Sequence, residues 1–166
     1  MACHFAFFVL ACVPVKRYEF VSVWQVAAPI DNVWSAIKDH QDWPEWWPGV
    51  LSVIELEPGD DNGVGAVHRS VWKSKLPYRL EFDTRVVRMK TNRLIEVVAF
   101  GQLEGSGLWQ FSSEDKGVRL QYDWSVITSK TWMNLLAPVA RPFFEWNHDV
   151  IMRWGEQGLN RYLKSS

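Results

Sequence analysis

Cysteine is scarce in this chain. Both cysteines, Cys3 and Cys12, lie in the N-terminal segment MACHFAFFVLACVPVKR, so neither a disulfide framework nor a CxxC metal site holds the remainder together. No apolar run approaches the roughly 20 residues needed to cross a bilayer. Neither sign of charge is in excess. The 18 Lys+Arg stand against 19 Asp+Glu, a formal net charge of −1, and the pI is near 6.4. With no basic field, and no Lys/Arg run interleaved with aromatics, nucleic acid is not an expected partner. HExxH and a phosphate loop are absent, and Gly101, Gly105 and Gly107 have neither the GxGxxG spacing nor a following helix. The histidines His4, His40, His68 and His148 show no metal-ligand spacing among themselves or with cysteine. No metal or other cofactor is expected.

What the chain has in quantity is tryptophan, 11 in 166 residues. Aromatics bring large apolar area with specific geometry, which suits a thick core or an internal pocket. No composition break marks a linker, and the length fits a single domain with a continuous core. Residues 17–166 are assigned to that domain and residues 1–16 to an N-terminal extension. The extension carries an apolar run, Phe5 to Val13, with Leu10-Ala11-Cys12 resembling a lipoprotein cleavage box, but no Lys or Arg precedes the run. An export signal, an extra strand and an over-extended start are the three readings of it. Without a signal, the protein is expected in the cytoplasm.

The segment 17–26, RYEFVSVWQV, reads as a strand. Pro29 and Asp31 start a helix carrying Ile30, Val33, Trp34 and Ile37 at helical spacing, and Pro44 starts a second short helix that Pro48-Gly49 ends. From Leu51 to Thr128 strands alternate with turn signals, as in an antiparallel meander. In one of them Leu80, Phe82, Thr84 and Val86 alternate with Arg79, Glu81, Asp83 and Arg85, which are expected outside. The last stretch is helical. From Phe143 to Leu163 one arc holds Glu145, Asp149, Arg153, Glu156 and Asn160, and a broad apolar arc holds Phe143, Phe144, Val150, Ile151, Trp154 and Tyr162. Asn147, His148, Gly155 and Gly158 share the apolar arc, and two glycines there imply close approach by sheet or ligand. Pro138 and Pro142 predict a bend, with residues 131–137 as a separate short helix.

The order of one strand, two short helices, six strands and a long helix predicts an α+β fold. A seven-stranded antiparallel sheet with one covered face can bury a broad-faced helix only by curling around it. The segments AAPIDNVWSAIKDHQDWPEWWPGV, LPYRLEF, LIEVVAFGQLEGSGLWQF, YDWSV and WNHDVIMRWGEQGL, with the turn at Gly63-Val64-Gly65, resemble the START-like superfamily of helix-grip proteins (the SRPBCC or Bet v 1-like group) in its polyketide cyclase/dehydrase branch. The resemblance runs from Tyr18 to Leu163. It implies a helix-grip fold with a cavity between sheet and long helix. Superfamily members include lipid carriers, hormone receptors and aromatase/cyclases, and fold does not fix function.

Trp72, Phe82, Trp109, Phe111, Tyr122 and Trp124 lie at alternating strand positions and are the expected cavity wall, with core packing as the alternative for each. Ile151 joins them from the helix. Asn147 and His148 either point into the cavity or satisfy groups of the sheet. Glu96 shares a strand face with Leu94, Val98 and Phe100, so it is either an inward carboxylate with a raised pKa or half of an ion pair with a residue such as Arg69. Trp43, Trp46 and Trp47 lid the pocket or seal a sheet edge. The expected function is binding of a small hydrophobic molecule (lipid, polyketide or aromatic metabolite). The alternative is a cyclase, aromatase or dehydratase in which His148, Glu96 or Tyr122 moves a proton. A protein-interaction module, a third class, would show an exposed apolar patch in place of a cavity.

Overall fold

The computed structural model describes residues 17–128 and 131–165. The three readings of residues 1–16 therefore lie outside the described residues. Strand β1 (Arg17–Val26) leads into helix α1 (Ile30–Lys38), a single 3-10 turn (His40–Asp42) and helix α2 (Trp43–Trp46). Six strands follow: β2 (Val50–Glu57), β3 (Val67–Lys73), β4 (Arg79–Lys90), β5 (Leu94–Gly101), β6 (Leu103–Glu114) and β7 (Gly117–Thr128). Helix α3 (Thr131–Ser165) closes the chain.

All seven strands form one antiparallel sheet in the order β1-β7-β6-β5-β4-β3-β2. Six of them follow one another as hairpins, and β1 pairs with β7 along its whole length, from Arg17 opposite Ile127 to Val26 opposite Val118. Flat, such a sheet would hold its two edges roughly 29 Å apart at about 4.8 Å per strand. Yet Tyr18 and Phe20 of β1 and Val53 of β2 line the same small hollow as Asn147 and Ile151 of α3. Only a sheet curled around the helix brings both edges there. Alternation sets its two faces: Val118, Leu120, Trp124 and Val126 of β7 are buried, while Arg79, Glu81, Asp83 and Arg85 of β4 point outward, Asp83 pairing with Arg69 at 2.8 Å.

The grip is tied at the edge strand. The unpaired edge of β1 is a row of main-chain donors and acceptors that must be satisfied or shielded, and α3 supplies the partners. Gln25 N–H donates to Glu156 Oε1 at 2.8 Å, Ala27 N–H donates to Asn160 Oδ1 at 3.1 Å, and Asn160 Nδ2 donates to the Gln25 carbonyl at 2.9 Å. Two members of the polar arc thus work as a clamp. Gly155 and Gly158 admit α2 and β1. A Cβ on Gly155 would stand 2.5 Å from the Trp47 ring and 2.6 Å from Trp24, and one on Gly158 would meet the Trp46 carbonyl oxygen. The close neighbour is a tryptophan pair and a main-chain group.

One expectation is corrected. Helix α3 is a single element from Thr131 through both prolines, with no separate helix at 131–137. A proline withholds one N–H from the ladder, and α3 continues past both of them.

Candidate functional site: an aromatic cavity between sheet and helix

The inner face of the curled sheet and the facing side of α3 bound a cavity of about 150 Å³. Its wall is a relay of rings passed from strand to strand. Trp72 of β3 lies 6.4 Å from Phe82 of β4 with planes 10° apart, and Phe82 lies 5.9 Å from Trp124 of β7. Trp124 stacks on Tyr122 at 5.6 Å, and Tyr122 stacks on Trp109 of β6, its directly opposed partner, at 4.0 Å. Gly107 makes that overlap possible: opposite Trp124 in the register, it leaves space where a Cβ would come 2.5 Å from the Tyr122 hydroxyl and 2.8 Å from the Trp124 ring. Burial pushes the Tyr122 hydroxyl pKa well above its ordinary value, so the phenol stays protonated.

The helix side is formed by Phe144, Asn147, His148, Ile151 and Met152 of α3. Trp43 and Trp47 of the α2 region close the wall beside them, while Trp46 is buried behind, stacked on Trp47 at 5.4 Å. Trp47 is fixed by its indole N–H, which donates to the Ile151 carbonyl at 2.8 Å, and by Trp72, edge-on at 5.0 Å. The three tryptophans therefore wedge between sheet and helix.

Besides the hydroxyl-bearing Tyr18, Ser70, Tyr78, Thr84 and Tyr122, the cavity is lined by two sets of imidazole and amide groups. On α3, His148 stacks on Phe20 of β1 at 4.0 Å. Neither of its ring nitrogens has a hydrogen-bond partner among the described residues, and neither does Asn147 Oδ1. The Asp149 carboxylate stands 3.8 Å from His148 Nδ1, beyond hydrogen-bond length. Burial lowers the His148 pKa to about 4 against the opposing pull of Asp149. Among the described residues His148 meets the sheet through its ring on Phe20 and not through a hydrogen bond.

The second set is His40, from the 3-10 turn, stacked on His68 of β3 at 4.5 Å. Burial, then the neighbouring His68, lowers the His40 pKa to about 3, and burial lowers that of His68 against the pull of Glu55, 3.7 Å away. His68 Nδ1 lacks a partner among the described residues, while the Lys38 main chain, though its contact with His40 falls outside hydrogen-bond geometry, pulls the His40 pKa upward. This pair also separates the cavity from a polar outer cleft of about 480 Å³ that carries Asp39, Asp42, Glu55, Asp60 and Asp61. Next on the inner face of β3, Ser70 Oγ accepts from Trp72 Nε1 at 2.8 Å.

Of the residues singled out in the sequence, Trp72, Phe82, Trp109, Tyr122, Trp124, Asn147, His148 and Ile151 come together around this cavity. Two do not. Glu96 points to the outer face and accepts from Arg88 Nε at 2.8 Å, while Ile95, Val97 and Ala99 take the inner face of β5; its suggested partner Arg69 is engaged by Asp83. Phe111 is buried, but beyond the cavity, against Trp34 of α1 at 5.1 Å, because α1 covers that end of β6. His40, His68 and Ser70 were passed over. For the β3 pair a signal existed: His68 and Ser70 share the parity of Trp72. Among the described residues no group of three or more His, Cys, Asp or Glu is gathered to hold a metal ion, and no helix is long and apolar enough to cross a membrane.

Known structures carry the same fold at low identity. The aromatase/cyclase Zhui from Streptomyces sp. R1128 matches with a TM-score of 0.70 and 18% identity over 90% of this chain and 94% of that one. A START superfamily protein from Mycobacterium smegmatis matches at 0.67 and 14%, over 90% and 97%. The di-domain ARO/CYC BexL of the BE-7585A biosynthetic pathway matches at 0.62 and 20%, over 86% of this chain, which spans only 50% of BexL. No curated protein matches. The family described as polyketide cyclase / dehydrase and lipid transport matches residues 26–152, most of the domain, and the chain belongs to that family.

Proposed function

We propose that the protein binds a small hydrophobic molecule, such as a lipid, polyketide or other aromatic metabolite, between the sheet and α3. The observation that carries this reading is the ring-walled hollow itself. An apolar space of about 150 Å³, if it were enclosed and left unfilled, would cost on the order of 3 to 4 kcal/mol at ~24 cal/mol per Å³. A sequence selected for stability alone would fill it, and a ligand of matching surface recovers that loss. Mass spectrometry of the purified protein under native conditions is expected to reveal a co-purified lipophile. Absence of any such adduct, together with unchanged tryptophan fluorescence across a panel of lipids and polyphenols, overturns the reading.

The second reading, a cyclase, aromatase or dehydratase using the same cavity, draws on the family and on the cavity-facing His40, His68 and His148. Such chemistry needs two or more groups within proton-transfer reach of one substrate position. Bases held near 3 and 4, as His40 and His148 are, are weak at neutral pH, which favours binding. Conversion of a poly-β-keto substrate to a cyclised, dehydrated product would support the enzyme.

A further inference from the structure

Among the described residues only His40 and His68 border both the ring-walled cavity and the polar outer cleft. Their rings stack at 4.5 Å with planes 26° apart, so the partition between the two spaces is this one pair. The charges around it stand on the cleft side. Glu55 of β2 approaches His68 Nε2 at 3.7 Å, Asp39 and Asp42 flank His40 in its turn, and Asp60 and Asp61 come from the loop between β2 and β3. Against these five carboxylates the described cleft residues include one cation, Lys38 at the end of α1. From β4 only Val86 and Met89 line the cleft, and Arg85 is held by Glu57 at 3.0 Å. On the cavity side the titratable residues are Tyr18, Tyr78, Tyr122 and His148, and no described residue there is Lys, Arg, Asp or Glu.

Resting on the ligand-binding reading for what would pass, we propose that the outer cleft is a second entrance to the cavity, closed while the His40–His68 pair is uncharged and opened when the pair takes up a proton. The proton goes to His68, where Glu55 favours the charged ring, and not to His40, which is more deeply buried and opposed by charge on His68. A charged imidazole is disfavoured against the apolar wall and favoured among the carboxylates of the cleft. His68 therefore swings outward and leaves the face of His40. The cleft of about 480 Å³ gives it room, and turning a side chain needs no rearrangement of the strand. Burial holds the His68 pKa below the ordinary 6.5, so the gate is shut at neutral pH. Each unit of acidification then raises the open fraction about tenfold until the ring holds its proton.

Ser70 lines the cavity and not the cleft, so it reports passage without any ligand. In the full chain carrying Cys3→Ser and Cys12→Ser, the thiol of Ser70→Cys is labelled with two methanethiosulfonates, one bearing a trimethylammonium group and one a sulfonate. Each rate is divided by that of a free thiol at the same pH, and near-UV circular dichroism follows the fold. From about pH 7.5 to about pH 5.5 the corrected rate of the cationic reagent is expected to rise, toward about tenfold per unit, and that of the anionic reagent to rise less because the carboxylates repel it. His68→Gln takes up no proton and is expected to keep the rate low throughout, whereas His68→Ala is expected to give the raised rate at neutral pH. Should either variant fail to fold, Glu55→Gln decides, since it is expected to move the rise to lower pH. A corrected rate independent of pH, a rise that survives in His68→Gln, a rise that Glu55→Gln leaves in place, or equal rises for both reagents overturns the gate. A co-purified lipophile, present or absent, bears on the ligand-binding reading alone, so the two fail separately.

Discussion

The main-chain carbonyl of Trp46 rests against the α-carbon of Gly158, where any side chain would collide with it. Through this contact the short helix α2 docks on α3, and the same approach brings Trp47 within reach of the Ile151 carbonyl. A glycine that weakens the helix locally thus sets the position of two cavity-lining residues, Trp47 and Ile151.

Gly158→Ala is expected to destabilise the protein by about 1 to 3 kcal/mol, because backbone must move to admit the new methyl. Helix propensity alone predicts the opposite, a gain of up to about 1 kcal/mol. Thermal melts of the variant decide the sign, and a raised Tm would mean that α2 does not seat there.

Asn160→Ala removes the group that accepts from Ala27 and donates to Gln25 at the edge of β1. The loss is expected to be about 1 kcal/mol. Hydrogen exchange provides the specific readout: the Ala27 amide is expected to exchange faster while amides in the β6–β7 ladder keep their protection.

Neighbouring residues of β5 test which face is inside. Ile95 is fully buried and Glu96 lies outward beside Arg88. Ile95→Ala is expected to cost about 2 to 5 kcal/mol, whereas Glu96→Ala is expected to cost no more than about 1 kcal/mol, as for other exposed ion pairs. Urea titration of both variants gives the comparison; a Glu96→Ala loss equal to that of Ile95→Ala would reverse the face assignment.

Acid is expected to unfold the protein through its buried histidines. His40 is held near 3 and His148 near 4, below the ordinary 6.5, so below pH 6.5 the unfolded chain binds protons that the folded one refuses. Their contribution is fully present above pH 6.5 and is lost as pH falls toward 4 and then 3. For His148 the loss is on the order of 3 kcal/mol. The urea midpoint measured from pH 7 to pH 4 is expected to fall, and His148→Phe to flatten the fall. A midpoint independent of pH over that range would contradict the burial of these rings.

Much of the fold is written in periodicity. Period-two runs placed the seven strands, and proline and glycine signals placed the turns between them and the short helices. In β4 one parity is apolar and the other charged, so the sequence settled that Phe82 faces in and Arg79, Glu81 and Asp83 face out. The aromatic wall followed for the same reason: Tyr122 and Trp124 share a parity with Val118 and Leu120, opposite the polar Arg119, Gln121 and Asp123.

In β5 that logic has nothing to grip. Leu94, Val98 and Phe100 form one apolar set and Ile95, Val97 and Ala99 another, so a period of two divides the strand without saying which half is covered. Pairing with β4 and β6 and the curl of the sheet put Glu96 outside. Composition and helical phase likewise placed Asn147 and His148 on the covered arc of α3, because a wheel depends only on the chain's own geometry. Bringing His40 against His68, 28 positions apart in the sequence, required the chain to turn through α2 and return along β2 and β3. Contacts across the fold depend on how separate elements pack, and no local spacing encodes that distance.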